Sequence, residues 1–184
     1  KSFPGKYYVK LNVGESSMIE SFKILKDERS LSSNEDLKEQ FEFLIGIRDK
    51  VTEIHKTIKQ IRSTRDQLNS LSGRLDENHE EISNSIKDVV IKITKIEENL
   101  YQTKNRSGQD PLNYPIRLNN KLAHLTSVAG RGNFKPTDQM YGVRDELVKL
   151  IDIELQRWNE IKDSELDKIN TMILENNIQL ISIN

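Results

Sequence analysis

The feature that most limits what this chain can fold into is an apolar stripe in steps of three and four, through Leu44, Ile47, Val51, Ile54, Ile58, Ile61, Arg65, Leu68, Ser72 and Leu75. That spacing stacks side chains on one face of a helix, and its alternation over several heptads is that of a coiled-coil seam. A helix from about Asn34 to Arg74 would be on the order of 60 Å long at 1.5 Å rise per residue. A second stripe, Ile82, Ile86, Val89, Ile93, Ile96 and Leu100, keeps the same rhythm without a miss. Two long helices joined by a short connection must run antiparallel, so the two stripes predict a helical hairpin.

The punctuation agrees with that reading. Ser32 and Glu35 fit a capping box at the start of the first helix, and Asn78 with Glu81 repeats it for the second. Gly73 is placed to end the first helix in a left-handed conformation. Gly108 and Pro111 mark a loop across 105–113. Pro115 fits the first turn of a short helix reaching about Ser127, with Ile116, Leu122 and Leu125 facing the bundle. Gly130-Arg131-Gly132 breaks that helix, and Thr137 and Asp138 start a last long one, capped by the Thr137 hydroxyl. Its broad apolar face carries Val143, Leu147, Leu150, Ile151, Trp158 and Ile161. Asp163-Ser164-Glu165 reads as a break and a fresh N-cap leading into Leu166, Ile169 and Ile173, and the tail 177–184 reads as extended.

The first residues follow another period. Tyr7, Val9, Leu11 and Val13 alternate with Tyr8, Lys10 and Asn12, the mark of a half-buried strand. Turn residues at 14–17 lead into a second β-prone run, Met18 to Leu25. The expected fold is mainly α: an antiparallel bundle of long helices, residues 28–184, preceded by a β-hairpin fragment, residues 1–27, that ends a truncated β-sandwich. A lone hairpin is marginal in water, so this one needs cover, from the start of the first helix, the tail around Ile178, Leu180, Ile181 and Ile183, or strands upstream. The opening Lys1-Ser2-Phe3-Pro4, with neither an initiator Met nor a signal-peptide pattern, reads as a cut inside a longer protein.

Composition excludes several kinds of function. The formal net charge of −1 lacks the basic excess that a phosphate backbone demands, so nucleic acid is not an expected partner. With no cysteine there is neither disulfide nor thiolate chemistry. Apolar runs are short and interrupted by charge, which argues against membrane insertion. His55, His79 and His124 lack the spacing of a helical metal site, and no cofactor is implied. Gly130-Arg131-Gly132 has neither the preceding strand nor the spacing of a phosphate loop. The acidic pairs Glu97-Glu98 and Asp76-Glu77 fall where helix surfaces and caps are expected. Without a nucleophile, base or metal cluster, no catalytic residue is assigned.

Polar residues at seam positions remain. Arg65 and Ser72 interrupt the first stripe, where polar groups fix register or partner choice at some cost in stability. Asn119, three residues from both Ile116 and Leu122, should face inward and hydrogen-bond the backbone of the 130–136 loop. Trp158 reads as a core anchor.

The segment Tyr114-Pro115-Ile116-Arg117-Leu118-Asn119-Asn120-Lys121-Leu122-Ala123, followed by Pro136-Thr137-Asp138-Gln139, resembles the carboxy-terminal region of large bacterial sortilin-like proteins. These carry BNR-repeat β-propellers and are often labelled glycosyl hydrolases. Pro4-Gly5-Lys6-Tyr7-Tyr8-Val9-Lys10-Leu11 is similar to the strand that precedes the helical region in that family. Many relatives have a proline near the last helix break, where this chain has Asp167. The resemblance implies a non-catalytic structural or interaction module in a secreted or periplasmic protein, whose partners are upstream domains of the same polypeptide or another protein. Any glycan chemistry would belong to the propellers, which are absent here. The alternative is a self-associating helical adaptor or oligomerisation domain.

Overall fold

The computed structural model describes residues 2–178, and the fold is mainly α with an amino-terminal hairpin. Strands β1 (Gly5–Val13) and β2 (Ser16–Ile24) are followed by helices α1 (Asn34–Ser72), α2 (Glu80–Leu100), α3 (Leu118–Ala129), α4 (Asp138–Glu160) and α5 (Asp167–Glu175). Two compact units emerge, with borders other than the 27/28 division expected from sequence. The first takes the residues up to Asp49 together with Ala123–Asp145. The second takes Lys50–Leu122 and the chain from Glu146 onward.

In the first unit β1 and β2 pair antiparallel in unbroken register from Gly5 opposite Ile24 to Val13 opposite Ser16. The turn is tighter than expected: only Gly14 and Glu15 lie outside the strands, and Gly14 supplies the required positive φ of 58°. The root of the hairpin meets α1 through Phe3 and Phe41, whose ring centroids are 5.4 Å apart. Here α1 starts with a reciprocal cap one residue later than predicted. The Asp36 amide donates to Ser33 Oγ (3.0 Å) and the Ser33 amide to Asp36 Oδ2 (2.9 Å). These bonds hold the Asp36 carboxyl below its usual range. Ser32, freed from capping, is buried and donates its hydroxyl to the Asn133 carbonyl. Gln40 donates to the Ala129 carbonyl at 2.7 Å, so two side chains of this unit satisfy backbone acceptors at and beyond the end of α3. Gly132, at φ 67°, holds a left-handed conformation that strains other residues, and an added Cβ would also displace the exposed Phe134 ring 2.6 Å away.

The second unit is a three-helix arrangement. All six residues of the second stripe, Ile82 to Leu100, are at most 3% exposed, and Ile54, Ile58, Ile61 and Leu68 of α1 are buried as well. Polar contacts fix the helix directions. Lys50 meets Asp152 and Gln60 meets Trp158, so α4 runs with α1. Lys92 meets Glu165 and Asn99 meets Glu154, so it runs against α2. Burying each of these isoleucines and leucines is worth about 1.5–3 kcal/mol, an upper estimate because unfolded chains already bury some surface.

Several boundaries differ from expectation. Helix α1 stops at Ser72 without a left-handed glycine, for the glycines with positive φ are Gly14 and Gly132. Asp76 caps a short 3₁₀ turn, Glu77–His79, that leads into α2, replacing the Asn78–Glu81 box. Pro115 lies upstream of α3, where its carbonyl accepts from Gln102 at 2.7 Å. Ile116, Val143 and Leu150, expected to face inward, are 44%, 46% and 44% exposed. The last helix does not break at Asp163. It passes through a π turn, Ile161–Leu166, straight into α5, and Ser164 donates back to the Glu160 carbonyl rather than capping a new helix. Of the tail expected to be extended, 179–184 lies outside the described residues.

Candidate functional site

Two places depart from the rule of apolar inside and polar outside. The first is a buried polar chain on the α1–α2 seam. Glu97 stands four residues after Ile93 and three before Leu100, which puts it on the buried face of α2, where it is 1% exposed. Such a carboxylate needs compensation. Arg62 donates Nε–H to its Oε1 at 2.6 Å, and Arg65 donates to its Oε2. Arg65, placed on the seam by its spacing, thus has as its partner the carboxylate expected on the surface. The Arg62 guanidinium also lies 5.3 Å from the Tyr101 ring centroid. Tyr101 meets His55 edge-on at 6.3 Å, and His55 Nε2 lies 3.3 Å from Asn119 Nδ2.

Asn119 is 5% exposed, as its spacing requires, but its amide turns to His55 rather than to backbone of the 130–136 loop. Its Oδ1 is buried without a partner. Ser72 is half-buried at the end of α1, and the core position there belongs to its neighbour Leu71, 5% exposed. Trp158 is 2% exposed with its indole N–H donated to Gln60 Oε1 at 3.2 Å, the geometry of a core anchor. Glu154 repeats the logic of Glu97. Three residues after Ile151 and four before Trp158, it is 6% exposed and accepts from Asn99 (3.1 Å) and Arg157 (2.7 Å). The signal for both buried acids was in the spacing of their apolar neighbours.

Each Glu97 oxygen accepts from a guanidinium group of α1, which ties α2 to α1, while Arg65 Nε is buried without a partner. His79 holds Asp76 at 2.6 Å within the α2 entry turn, and that contact keeps the Asp76 carboxyl below its usual range. Among the described residues no group of three His, Cys, Asp or Glu side chains could hold a metal ion, and no helix is long and apolar enough to cross a membrane.

The second departure is the hairpin itself. Its register puts Tyr7, Val9, Leu11, Val13, Met18 and Phe22 on one face, with Glu20 opposite Val9 and Ser16 opposite Val13, and puts Lys6, Lys10 and Lys23 on the other together with Tyr8 and Ile19. On the apolar face Val9, Leu11, Val13, Met18 and Phe22 are 49–67% exposed. Both strands are edges, each with a row of free backbone donors and acceptors. No protein-family model, characterised protein or solved structure matches this chain.

Proposed function

We propose that the chain is a non-catalytic structural and interaction module that docks through its hairpin onto β-structure of a neighbouring domain in the same polypeptide. The observation that carries this reading is the exposed apolar face of β1–β2, an amphipathic surface patterned for cover and lying open in the chain alone. The opposite face carries three lysines beside Tyr8 and Ile19, so the side with Val9, Leu11, Val13, Met18 and Phe22 is the more apolar one and the one that faces the neighbouring sheet. The resemblance to bacterial sortilin-like proteins supports a β-sandwich as that neighbour, with propellers before it and a periplasmic or extracellular setting. The Glu97 cluster supports a brace, since two guanidinium contacts tie α2 to α1.

The test is hydrogen exchange on the hairpin amides, in this chain and in the longer protein that includes the preceding domain. Docking predicts fast exchange in the first and protection in the second, abolished by Val9→Asp. Equal exchange in both proteins would sink the reading. Concentration-dependent protection in the isolated chain, matched by a dimer in light scattering, would turn it into the self-associating adaptor.

A further inference from the structure

The two edges of the hairpin are not equivalent. Its turn is Gly14-Glu15, and of the two only Gly14 has a positive φ, 58°, which is the type II′ form with glycine first. That turn makes Val13 and Ser16 a hydrogen-bonded pair. In an antiparallel ladder such pairs alternate with pairs whose backbone groups point away from the partner strand. Counting back along the register, Lys6, Tyr8 and Lys10 of β1 and Ser17, Ile19 and Ser21 of β2 turn their N–H and C=O groups outward.

Lysine guards an exposed edge, because a strand laid alongside would strip water from its ammonium group. β1 carries two at outward positions, Lys6 and Lys10, the second at mid-strand. On β2 the stretch from Ser16 to Phe22 has no cation, and its one lysine, Lys23, stands at the root beside Ile24. Ser17, Ile19 and Ser21 are all exposed. β2 is therefore the unguarded edge.

The side chains of β2 specify the strand that fits there. Its apolar face reads Met18, Glu20, Phe22, two exposed apolar groups with one carboxylate between them. Val9 stands opposite Glu20 on β1, and among the described residues Glu20 enters no ion pair. A third strand sets one of its own side chains directly against Glu20, where an opposite charge is favoured and a like charge repelled.

Resting on the docking proposed above, we infer that the neighbouring domain adds a strand to the β2 edge and not to β1. This strand carries a lysine or arginine between two apolar residues on the face it shares with Met18, Glu20 and Phe22, and it accepts hydrogen bonds from the outward N–H groups of Ser17, Ile19 and Ser21. Strand addition is compatible with cover of the apolar face, since one uses backbone in the plane of the sheet and the other side chains above it.

The experiment is amide exchange, residue by residue, in the chain alone and in the longer protein that includes the preceding domain. The expected result is a rise in protection of about a hundredfold or more at Ser17, Ile19 and Ser21, with Tyr8 and Lys10 unchanged. Ser21→Pro removes an outward donor that the hairpin does not use, so it should return Ser17 and Ile19 to fast exchange. Tyr8→Pro, directly across the hairpin, should leave them protected. A cross-strand Hα–Hα contact between Lys10 and Ile19 checks that the hairpin persists in both variants. Glu20→Lys keeps every backbone group and should weaken the protection about tenfold, and Glu20→Gln less. Protection of Tyr8 and Lys10 equal to that of Ser17, Ile19 and Ser21, or in its place, would overturn the choice of edge. Protection confined to the inward amides of Met18, Glu20 and Phe22, still lost in Val9→Asp, would overturn strand addition and leave docking by the apolar face standing. No protection anywhere would remove docking itself and this inference with it. Full protection in Glu20→Lys would overturn the basic residue opposite it.

Discussion

In the seam between α1 and α2 a glutamate is 1% exposed, while in the hairpin Val13 and Met18 are 67% and 65% exposed. Both regions obey their sequence period. The seam keeps steps of three and four, and β1 alternates from Tyr7 to Val13. They differ in what stands opposite. Each stripe of the seam has the other to close on, and the pair is tight enough to bury a carboxylate once two guanidinium groups reach it. The apolar face of the hairpin is open over β1 and β2, although its root packs through Phe3 on Phe41. Periodicity therefore tells which face is apolar, and burial depends on whether a complementary face is present.

The comparison breaks most sharply at Ile93, which is 0% exposed. Ile93→Asp places an unpaired carboxylate in the seam and should cost on the order of 4 kcal/mol or more, removing cooperative thermal unfolding of the second unit. An unchanged melting curve would contradict the packing of α2. Glu97→Ala comes next. It leaves Arg65 facing the core without its partner, and because Arg65 is only partly buried, about 2–3 kcal/mol should be lost in urea denaturation. If removing Glu97 were neutral, the cluster would be surface chemistry and not a register device. Asn119→Leu removes one contact to His55 and also one unsatisfied oxygen, so the two effects oppose and the loss should stay near 1 kcal/mol. In the hairpin, Leu11→Ser should move the melting temperature of the isolated chain scarcely at all, within about 0.5 kcal/mol, because the side chain is already in water. A large loss there would show that the apolar face is covered in solution.

A pH dependence follows from the cap of α1. Hydrogen bonds from Ser33 stabilise the ionised Asp36 and depress its folded pKa. The cap is at full strength above the unfolded aspartate value of about 3.9 and is lost as the pH falls through the lower folded value. Amide exchange at Asp36 and Leu37 should accelerate in that acid window, and Asp36→Asn should abolish the acceleration.

Much of this architecture was legible because both stripes are long, the first broken only at Arg65 and Ser72, and long periodic runs leave little choice of element. What escaped the sequence reading was decided by competition between neighbours. Ser32 and Ser33 could each cap α1, and Ser33 won because Asp36 returns the bond while Ser32 is drawn to the Asn133 carbonyl. Glu97 and Glu98 look alike in isolation, yet only Glu97 sits at core spacing from Ile93 and Leu100. Leu150 and Ile151 are both apolar, and Ile151, at core spacing from Leu155 and Trp158, is 0% exposed while Leu150 is 44% exposed. The partner of Asn119 could not be read from spacing at all, since it depends on where His55 of α1 falls opposite α3 within the second unit.

The π turn at Ile161–Leu166 amounts to one residue too many in an otherwise regular rod. Ile161 to Leu166 is a step of five, which in a plain α-helix would swing the later side chains about 100° around the axis. Because the wider turn absorbs the surplus, Ile169 and Ile173 return to the buried face that Ile151, Leu155 and Trp158 occupy before it. The helix can thus lose a residue between 162 and 165 while keeping both faces in phase. A single deletion there, of Asp163 for example, would shorten the rod by roughly 1.5 Å and leave the core on either side aligned. In an otherwise strict heptad pattern this is the point of slack, where the chain can change length by one without changing its fold.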